Sequence, residues 1–395
     1  MGTGNTVVLV DGARTAVGRY AGGFRSTPTS ELGAAAITEA LRRSGVPASE
    51  VDEVVLGCVG QVGPEIFNAR RAALEAGIPP ASTAYNVNRL CGSGLQAIWA
   101  GANSIRLGQA KVVVAGGNEN MSLQPFLDYQ ARDGSLLGDR KLVDGTLSLV
   151  TDPWGNYAMG VTAENVARKF HISRTDQDAF AVLSQSKAEK AQAEGIFAEE
   201  IVGVTTRDRK QEVVIDKDEH LRPGTSLETL ARLRPAFASE GSVTAGNSSG
   251  INDAAAAVIL MTEREAHERG LTPLARLVGF AVTGIEPAIM GYAPVGAIRK
   301  VLANAGRDLS DVDVVELNEA FAAQAVAVIR DAQLDPDLVN PYGGAIALGH
   351  PVGATGAILA LRLAYTLRRT AAHLGLVTMC IGGGQAIAAL LERVE

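Results

Sequence analysis

The chain has 395 residues, 47% of them hydrophobic and 20% charged, with a formal net charge of −7. This is the balance of a folded enzyme, and a chain this long buries most of its surface without disulfide staples. The acidic balance argues against a nucleic-acid surface, and no apolar run approaches the roughly 20 residues that span a bilayer.

The N-terminal residues, MGTGNTVVLVDGARTAVG, have no basic leader and enter a strand-like run directly, so no signal peptide is expected. The C-terminal LERVE is no peroxisomal address, which leaves the cytoplasm as the expected compartment. The three cysteines (Cys58, Cys91 and Cys380) contain no CxxC pair and read as reduced thiols. With the five histidines they show no ligand spacing, so no metal site is expected. Cys58 has no reactive surroundings and belongs to the core. The densest basic cluster, Arg207-Asp208-Arg209-Lys210, reads as a solvated loop.

Residues 36–52, AITEALRRSGVPASEVD, return as residues 297–313, AIRKVLANAGRDLSDVD, 261 residues apart and without a gap. Ala36, Ile37, Leu41, Gly45, Ser49, Val51 and Asp52 meet identical residues in the second copy. Each copy predicts an amphipathic helix ended by glycine, a turn, and a buried strand at residues 54–57 or 314–317. Further on, NRLCGSGLQAI around Cys91 corresponds to IALGHPVGATGAI around His350, at nearly the same spacing. Each turn leads into a helix and then a strand, at 112–115 or 376–379, that ends in glycines. Cys91 and His350 therefore occupy equivalent places in two related halves, and such turns meet where the halves meet.

Between the halves, residues 118–242 are more polar and irregular, with Asp, Gly, Trp and Pro turns near residues 134–155. A helix opens at Ser173, where capping residues precede an apolar period, and runs toward Glu194. This stretch reads as a lobe inserted over the core, suited to gripping part of a substrate.

A cysteine ahead of Gly92-Ser93-Gly94 sits at a helix start, where the dipole favours the thiolate and is expected to lower its pKa. Small glycines let backbone N–H groups approach a reacting carbonyl. His350, between glycine and proline, is the candidate base for that thiol. The other histidines, His171, His220, His267 and His373, read as surface groups. Cys380, ahead of Gly382-Gly383-Gly384, can donate and accept a proton beside a reacting carbon. Asn318 ends a strand within reach of the same site.

The strings NRLCGSGLQA (88–97), MGVTAENVA (159–167), LRPAF (233–237), VTAGNSSGINDAAAA (243–257), NEAFAAQA (318–325), ALGHPVGATGA (347–357) and MCIGGGQ (379–385) stand in an order that resembles the thiolase family over essentially the whole chain. The resemblance implies an α/β fold with a duplicated five-layer αβαβα core. Its halves would be residues 1–117 with 243–270, and residues 271–395, with an inserted loop domain at 118–242. It also implies a homodimer or homotetramer, no tightly bound cofactor, and CoA and acyl-CoA as substrates. On matching positions Cys91 would be the acyl-accepting nucleophile and His350 its activator. Cys380 would be the acid and base at the α-carbon, and Asn318 would hold a water that stabilises an enolate oxygen with His350. The N–H groups of Cys91 and Gly382 would form the oxyanion hole for the covalent thioester. Arg222, Thr229 and Ser249 would contact CoA, and Met159 would border the pantetheine and acyl pocket.

The chain departs from the family pattern at Ala158, where histidine is usual, at Tyr292 after Met290, and at Tyr342 in the segment before the histidine motif. These positions are expected on substrate-facing loops and imply a non-standard acyl group, such as an oxo- or aryl-substituted chain. The implied reaction is reversible cleavage or condensation of 3-oxoacyl-CoA through an acyl-cysteine, with ping-pong kinetics. Two alternatives are a ketosynthase using malonyl thioesters, against which Cys380 and NEAF count, and a non-catalytic CoA- or lipid-binding relative, against which the complete catalytic set counts.

Overall fold

The computed structural model describes residues 6–134, 137–208 and 211–394. Arg209 and Lys210 of the basic cluster lie outside these residues, as do residues 1–5 and Glu395. Arg207 is on a short strand, Val204–Asp208, paired antiparallel with Gln211–Ile215, rather than in an open loop.

The core strands are β1 (Val7–Thr15), β2 (Glu53–Gly57), β3 (Thr83–Val87), β4 (Val113–Asn120), β5 (Asn252–Thr262), β6 (Ala275–Gly284), β7 (Val314–Leu317), β8 (Leu374–Ile381) and β9 (Gln385–Arg393). In the first half they are ordered β3-β2-β4-β5-β1, and in the second β7-β8-β9-β6. A parallel bridge from Val315 to Val339 stands beside β7 where β3 stands beside β2, so the second half repeats the order of the first. The halves join where β1 pairs with β6 at Val8–Arg276 and Leu9–Ala275. The 261-residue spacing lays β4 on β8 residue for residue.

The helices are α1 (Thr29–Ser44), α2 (Asn68–Glu75), α3 (Ser93–Arg106), α4 (Met159–Lys169), α5 (Arg174–Ala193), α6 (Pro294–Ala305), α7 (Ala322–Asp331) and α8 (Thr355–Thr370). In the repeated segment, α1 and α6 both stop at a left-handed glycine, Gly45 at φ 68° and Gly306 at φ 62°. A side chain there would be strained, so glycine ends the helix and turns the chain into β2 or β7. α1 and α2 pack one outer face and α6 and α7 the other. α3 and α8 share the central cluster with strands of both halves, which completes five layers. α8 is buried continuously from Thr355 to Leu367, as a helix between two sheets must be. Each fully buried leucine in it contributes about 1.5–3 kcal/mol.

The inserted stretch does not begin where its polarity does. β4 continues through Asn118, Glu119 and Asn120, all buried, because their side chains find partners inside. α5 is capped as its sequence predicts: Ser173 accepts from Asp176 N–H, and Asp176 accepts from Ser173 N–H. The insertion is tied to β1 by Ile201–Val202, and by Arg14, which pairs with Glu200 at 2.8 Å and Asp218 at 2.7 Å. Among the described residues no helix is long and apolar enough to cross a membrane.

Candidate active site

Two turns and two strand ends build the site. Ahead of α3 the chain folds tightly: Leu90 N–H donates to Asn88, Gly92 N–H to the Arg89 carbonyl and Ser93 N–H to the Leu90 carbonyl. Ser93 Oγ locks the turn, accepting from Arg89 N–H at 2.9 Å and donating to the Leu90 carbonyl at 2.6 Å. Leu90 is held at φ 46°, a conformation that costs about 1–3 kcal/mol in a non-glycine residue. The turn leaves Cys91 half-buried, with its own N–H and that of Gly382 directed at its sulfur.

The pKa of Cys91 runs opposite to expectation. Burial pushes the thiol up to about 11, and the two N–H groups offset only part of that. Cys380 closes β8 beside it. Burial and the neighbouring Cys91 sulfur hold its thiol far above the usual range, so Cys380 keeps its proton at neutral pH.

His350 is wholly enclosed, and burial lowers it to about 4, leaving a neutral ring. Its tautomer follows from its neighbours. Thr355 Oγ1 donates its one proton to the Pro351 carbonyl at 2.9 Å, so it accepts from His350 Nδ1–H at 2.7 Å. Nε2 is thus a bare acceptor, and it has no hydrogen-bond partner among the described residues. Asn252 holds this loop, accepting from His350 N–H at 2.9 Å and donating to the Gly18 carbonyl at 3.0 Å. Gly349, at φ 101°, leaves room for nothing larger, since a Cβ there would meet the Asn252 amide at 2.5 Å. Asn318 follows β7 with its N–H on the Thr378 carbonyl at 3.0 Å. Both polar atoms of its buried side chain lack partners among the described residues, which is costly unless a ligand or water completes them.

Met159 opens α4 against Gly382, with its Cε 3.1 Å from where a Cβ would stand. Met159 and Met290 pack with Cys380, Ala163, Val243, Phe321 and Phe237, forming an apolar wall around the Cys380 sulfur. Ala158 is exposed one residue earlier. Ser249 donates its N–H to the Ala320 carbonyl, joining its turn to the segment after Asn318. Arg222 and Thr229 are exposed on the insertion.

Tyr292 and Tyr342 do not join this group. The Tyr292 ring stacks on Phe170 at 3.9 Å and its hydroxyl donates to Asp331 at 3.1 Å. Tyr342 packs with Ala188, Phe197 and Leu348 under the Arg369 guanidinium, 5.1 Å from its ring centroid. Both rings find apolar and charged partners within the protein, which a reading of loop position could not show. His220 is no surface group either: its ring is half-buried against Gly250, and burial, with Arg222 adding, lowers it to about 4. Sequence reasoning missed Thr355 and Asn252, although both lie inside quoted motifs. A cleft of about 640 Å³ between α5 and α7, lined by Phe180, Leu183, Lys187, Glu319 and Ile329, includes neither sulfur nor His350. Among the described residues no cluster of three or more His, Cys, Asp or Glu could hold a metal ion.

Residues 7–264 match the thiolase N-terminal domain and residues 271–393 the thiolase C-terminal domain. The chain belongs to the thiolase family. This thiolase is 50% identical over 390 residues to the acetyl-CoA acetyltransferase of Rhizobium meliloti, covering 98% of this chain and 99% of that one. It is 48% identical to a beta-ketothiolase of Cupriavidus necator, with the same coverage. The Bacillus anthracis acetyl-CoA acetyltransferase superposes with a TM-score of 0.98 at 43% identity, over 100% of both chains. Human mitochondrial 3-ketoacyl-CoA thiolase in complex with CoA superposes at 0.95 and 41% identity, over 99% of this chain and 98% of that one. As a thiolase the protein is an acyltransferase with a duplicated α/β core.

Proposed function

We propose that this thiolase transfers acyl groups between CoA thioesters through Cys91, cleaving or forming 3-oxoacyl-CoA in two half-reactions. One observation carries the reading. The Cys91 sulfur receives two backbone N–H groups and faces a protonated Cys380, while His350 Nε2 and the Asn318 amide stand buried and unpartnered.

In the cleaving direction Cys91 gives its proton to His350 Nε2 and its sulfur attacks the 3-carbonyl. The bond between C2 and C3 breaks, and its electron pair passes to C2 as an enolate. The enolate oxygen is stabilised by imidazolium and by a water on Asn318. Cys380 then protonates C2, and acetyl-CoA leaves. CoA next gives its thiol proton to the Cys380 thiolate and attacks the acyl-Cys91 carbonyl, whose oxyanion lies on the N–H groups of Cys91 and Gly382. The Cys91 sulfur departs and recovers its proton from His350. A buried thiol with a high pKa suits the carbanion step, because it stays protonated until a stronger base forms beside it.

CoA and acyl-CoA act as substrates, with no tightly bound cofactor. Arg222 and Thr229, within an inserted lobe at residues 118–242, and Ser249 beyond it serve the CoA side. That is supported by the exposure of Arg222 and Thr229 and by His220, which stands between Arg222 and Gly250, next to Ser249. Ala158, Met159 and Met290 border the acyl chain, supported by the wall that the two methionines form and by the open surface at Ala158. Pairing into a homodimer or homotetramer is supported by the edge position of β3, with Tyr85 exposed on it and Ile66 and Phe67 exposed on the preceding segment. The cytoplasm, with its reduced thiols, is the compartment this chemistry needs.

Incubation with acetyl-CoA followed by peptide mass spectrometry tests the reading. The expected result is one acetyl group on the Cys91 peptide, removed by added CoA. An unmodified Cys91 peptide alongside normal CoA binding would favour a binding protein instead.

A further inference from the structure

Glu119 lies on β4, fully buried, and the catalytic scheme above makes no use of it. The 261-residue register sets it at the place that Cys380 holds on β8, and sets Cys58 at the place of Glu319. Its carboxylate is engaged on both oxygens. Oε2 accepts the N–H groups of Val59 at 2.9 Å and Gly353 at 3.0 Å, and Oε1 accepts that of Gly60 at 2.9 Å. The Cys58 thiol donates to Oε1 at 3.9 Å.

These donors come from opposite halves. Val59 and Gly60 follow β2, whereas Gly353 lies three residues after His350 and just ahead of α8. Gly353 has no slack. A Cβ on it would meet Oε2 of Glu119 at 2.6 Å and the Cys58 Cα at 3.0 Å, and its carbonyl stands 2.1 Å from where a Gly117 Cβ would be. A carboxylate offers about four acceptor positions, whereas an amide would turn a donor toward one of the three N–H groups.

We propose that Glu119 is a positioning residue: by binding Gly353 N–H to the Cys58–Gly60 loop, it sets the His350 imidazole at the height from which Nε2 reaches Cys91. The proposal rests on Cys91 as the acylated residue. The clamp needs its negative charge, since a protonated carboxyl has fewer acceptor positions. Burial raises Glu119 to about 7 against the pull of the three N–H groups. The titratable groups facing it are Cys58 after β2, Asp253 on β5, raised by burial to about 6, and Cys91 ahead of α3; Glu65 acts on Cys58. His350 changes charge only near 4, well below Glu119.

The test uses the full-length enzyme as Glu119→Gln, Glu119→Asp and Asp253→Asn. Thiolysis of acetoacetyl-CoA is followed from pH 5 to 9 together with thermal midpoints and acetylation of Cys91. The wild type is expected to lose kcat on the acid side of a limb near pH 7. Glu119→Gln should lack that limb and lose about 10²-fold in kcat, with KM within about twofold, the scale of an ångström-sized misplacement. Glu119→Asp keeps the charge but withdraws it, so it should keep the limb at a reduced kcat, and Asp253→Asn should keep the limb. A Glu119→Gln enzyme that retains the limb, its rate down only by its folded fraction, overturns the proposal. If Glu119→Gln does not fold, an unchanged kcat in Glu119→Asp overturns it. An unacetylated Cys91 in the wild type overturns the underlying reading as well, whereas a normal adduct with an unmoved limb overturns the clamp alone.

Discussion

Cys91 is a poor thiolate at rest. With its thiol pushed up to about 11, only about one molecule in 10⁴ carries a bare sulfur at pH 7. Its reactivity must therefore come from a base, and His350 stays neutral above about pH 4 with Nε2 free to take the proton. Alkylation by iodoacetamide is then expected to be nearly flat from pH 8 to 9 in the wild type and to fall below pH 7 as Glu119 gains its proton. In His350→Ala the same reaction should be at least tenfold slower at pH 7 and should climb about tenfold per pH unit. A flat profile in the variant would show that His350 is not the base. Residue types and their turn were legible in the sequence, and so was the equivalent placement of Cys91 and His350 ahead of α3 and α8. The sign of the Cys91 shift was not. A helix start alone lowers a thiol pKa, but Cys91 packs against the central cluster, built from both halves of the chain, and that burial disfavours its charge. Thr355 is only five residues from His350, but its role in fixing the tautomer shows only once the turn brings its hydroxyl to Nδ1.

At the scale of elements, α3 and α8 carry the two reactive turns, and their first turns touch through backbone. A Cβ on Gly94 would meet the Ala357 nitrogen at 2.7 Å and the Gly353 carbonyl at 3.0 Å, and one on Gly356 would meet the Leu95 nitrogen at 2.4 Å. Backbone cannot rotate aside as a side chain can, so Gly94→Ala must push the helices apart. We expect it to cost about 1–3 kcal/mol in stability and about 10²-fold in kcat, because both reactive turns move with their helices. Denaturant melts and rapid-quench acetylation would measure the two losses, and an enzyme that melts lower but acetylates normally would refute the coupling. The repeat at 36–52 and 297–313 made this arrangement readable before any coordinates, since equal spacing demanded equal strands and helices. The junction of the halves at β1 and β6 was not readable, because only two residue pairs make it. Nor was the end of β4, whose polar Asn118-Glu119-Asn120 looks like the start of a loop until the buried partners of those side chains are known.

Across the whole molecule, the buried charges set how stability varies with pH. Glu316 on β7 has both oxygens buried without hydrogen bonds, and burial lifts it to about 8 despite the opposing pull of Arg362. Between pH 4.5 and 8 the folded chain keeps a proton on Glu316 that the unfolded chain releases, so stability falls as pH rises through that window. His350 and His220 act oppositely. Both are lowered to about 4, so the unfolded chain binds their protons first and stability falls as pH drops from 6.5 toward 4. Above pH 6.5 the histidines are neutral in both states and no longer contribute. Glu119, at about 7, adds only a small slope there, so Glu316 dominates from pH 6.5 to 8. That share of its shift corresponds to about 2 kcal/mol, or roughly 2–3 °C in thermal midpoint for a chain of 395 residues. Glu316→Gln keeps the shape and never ionises. Measured at one fixed protein concentration, so that assembly does not shift the midpoint, its melting temperature should vary little between pH 6.5 and 8.5 while the wild type falls. Parallel curves for the two proteins would mean that Glu316 ionises as easily in the folded chain as in the unfolded one, with water reaching its carboxylate from the Arg362 side.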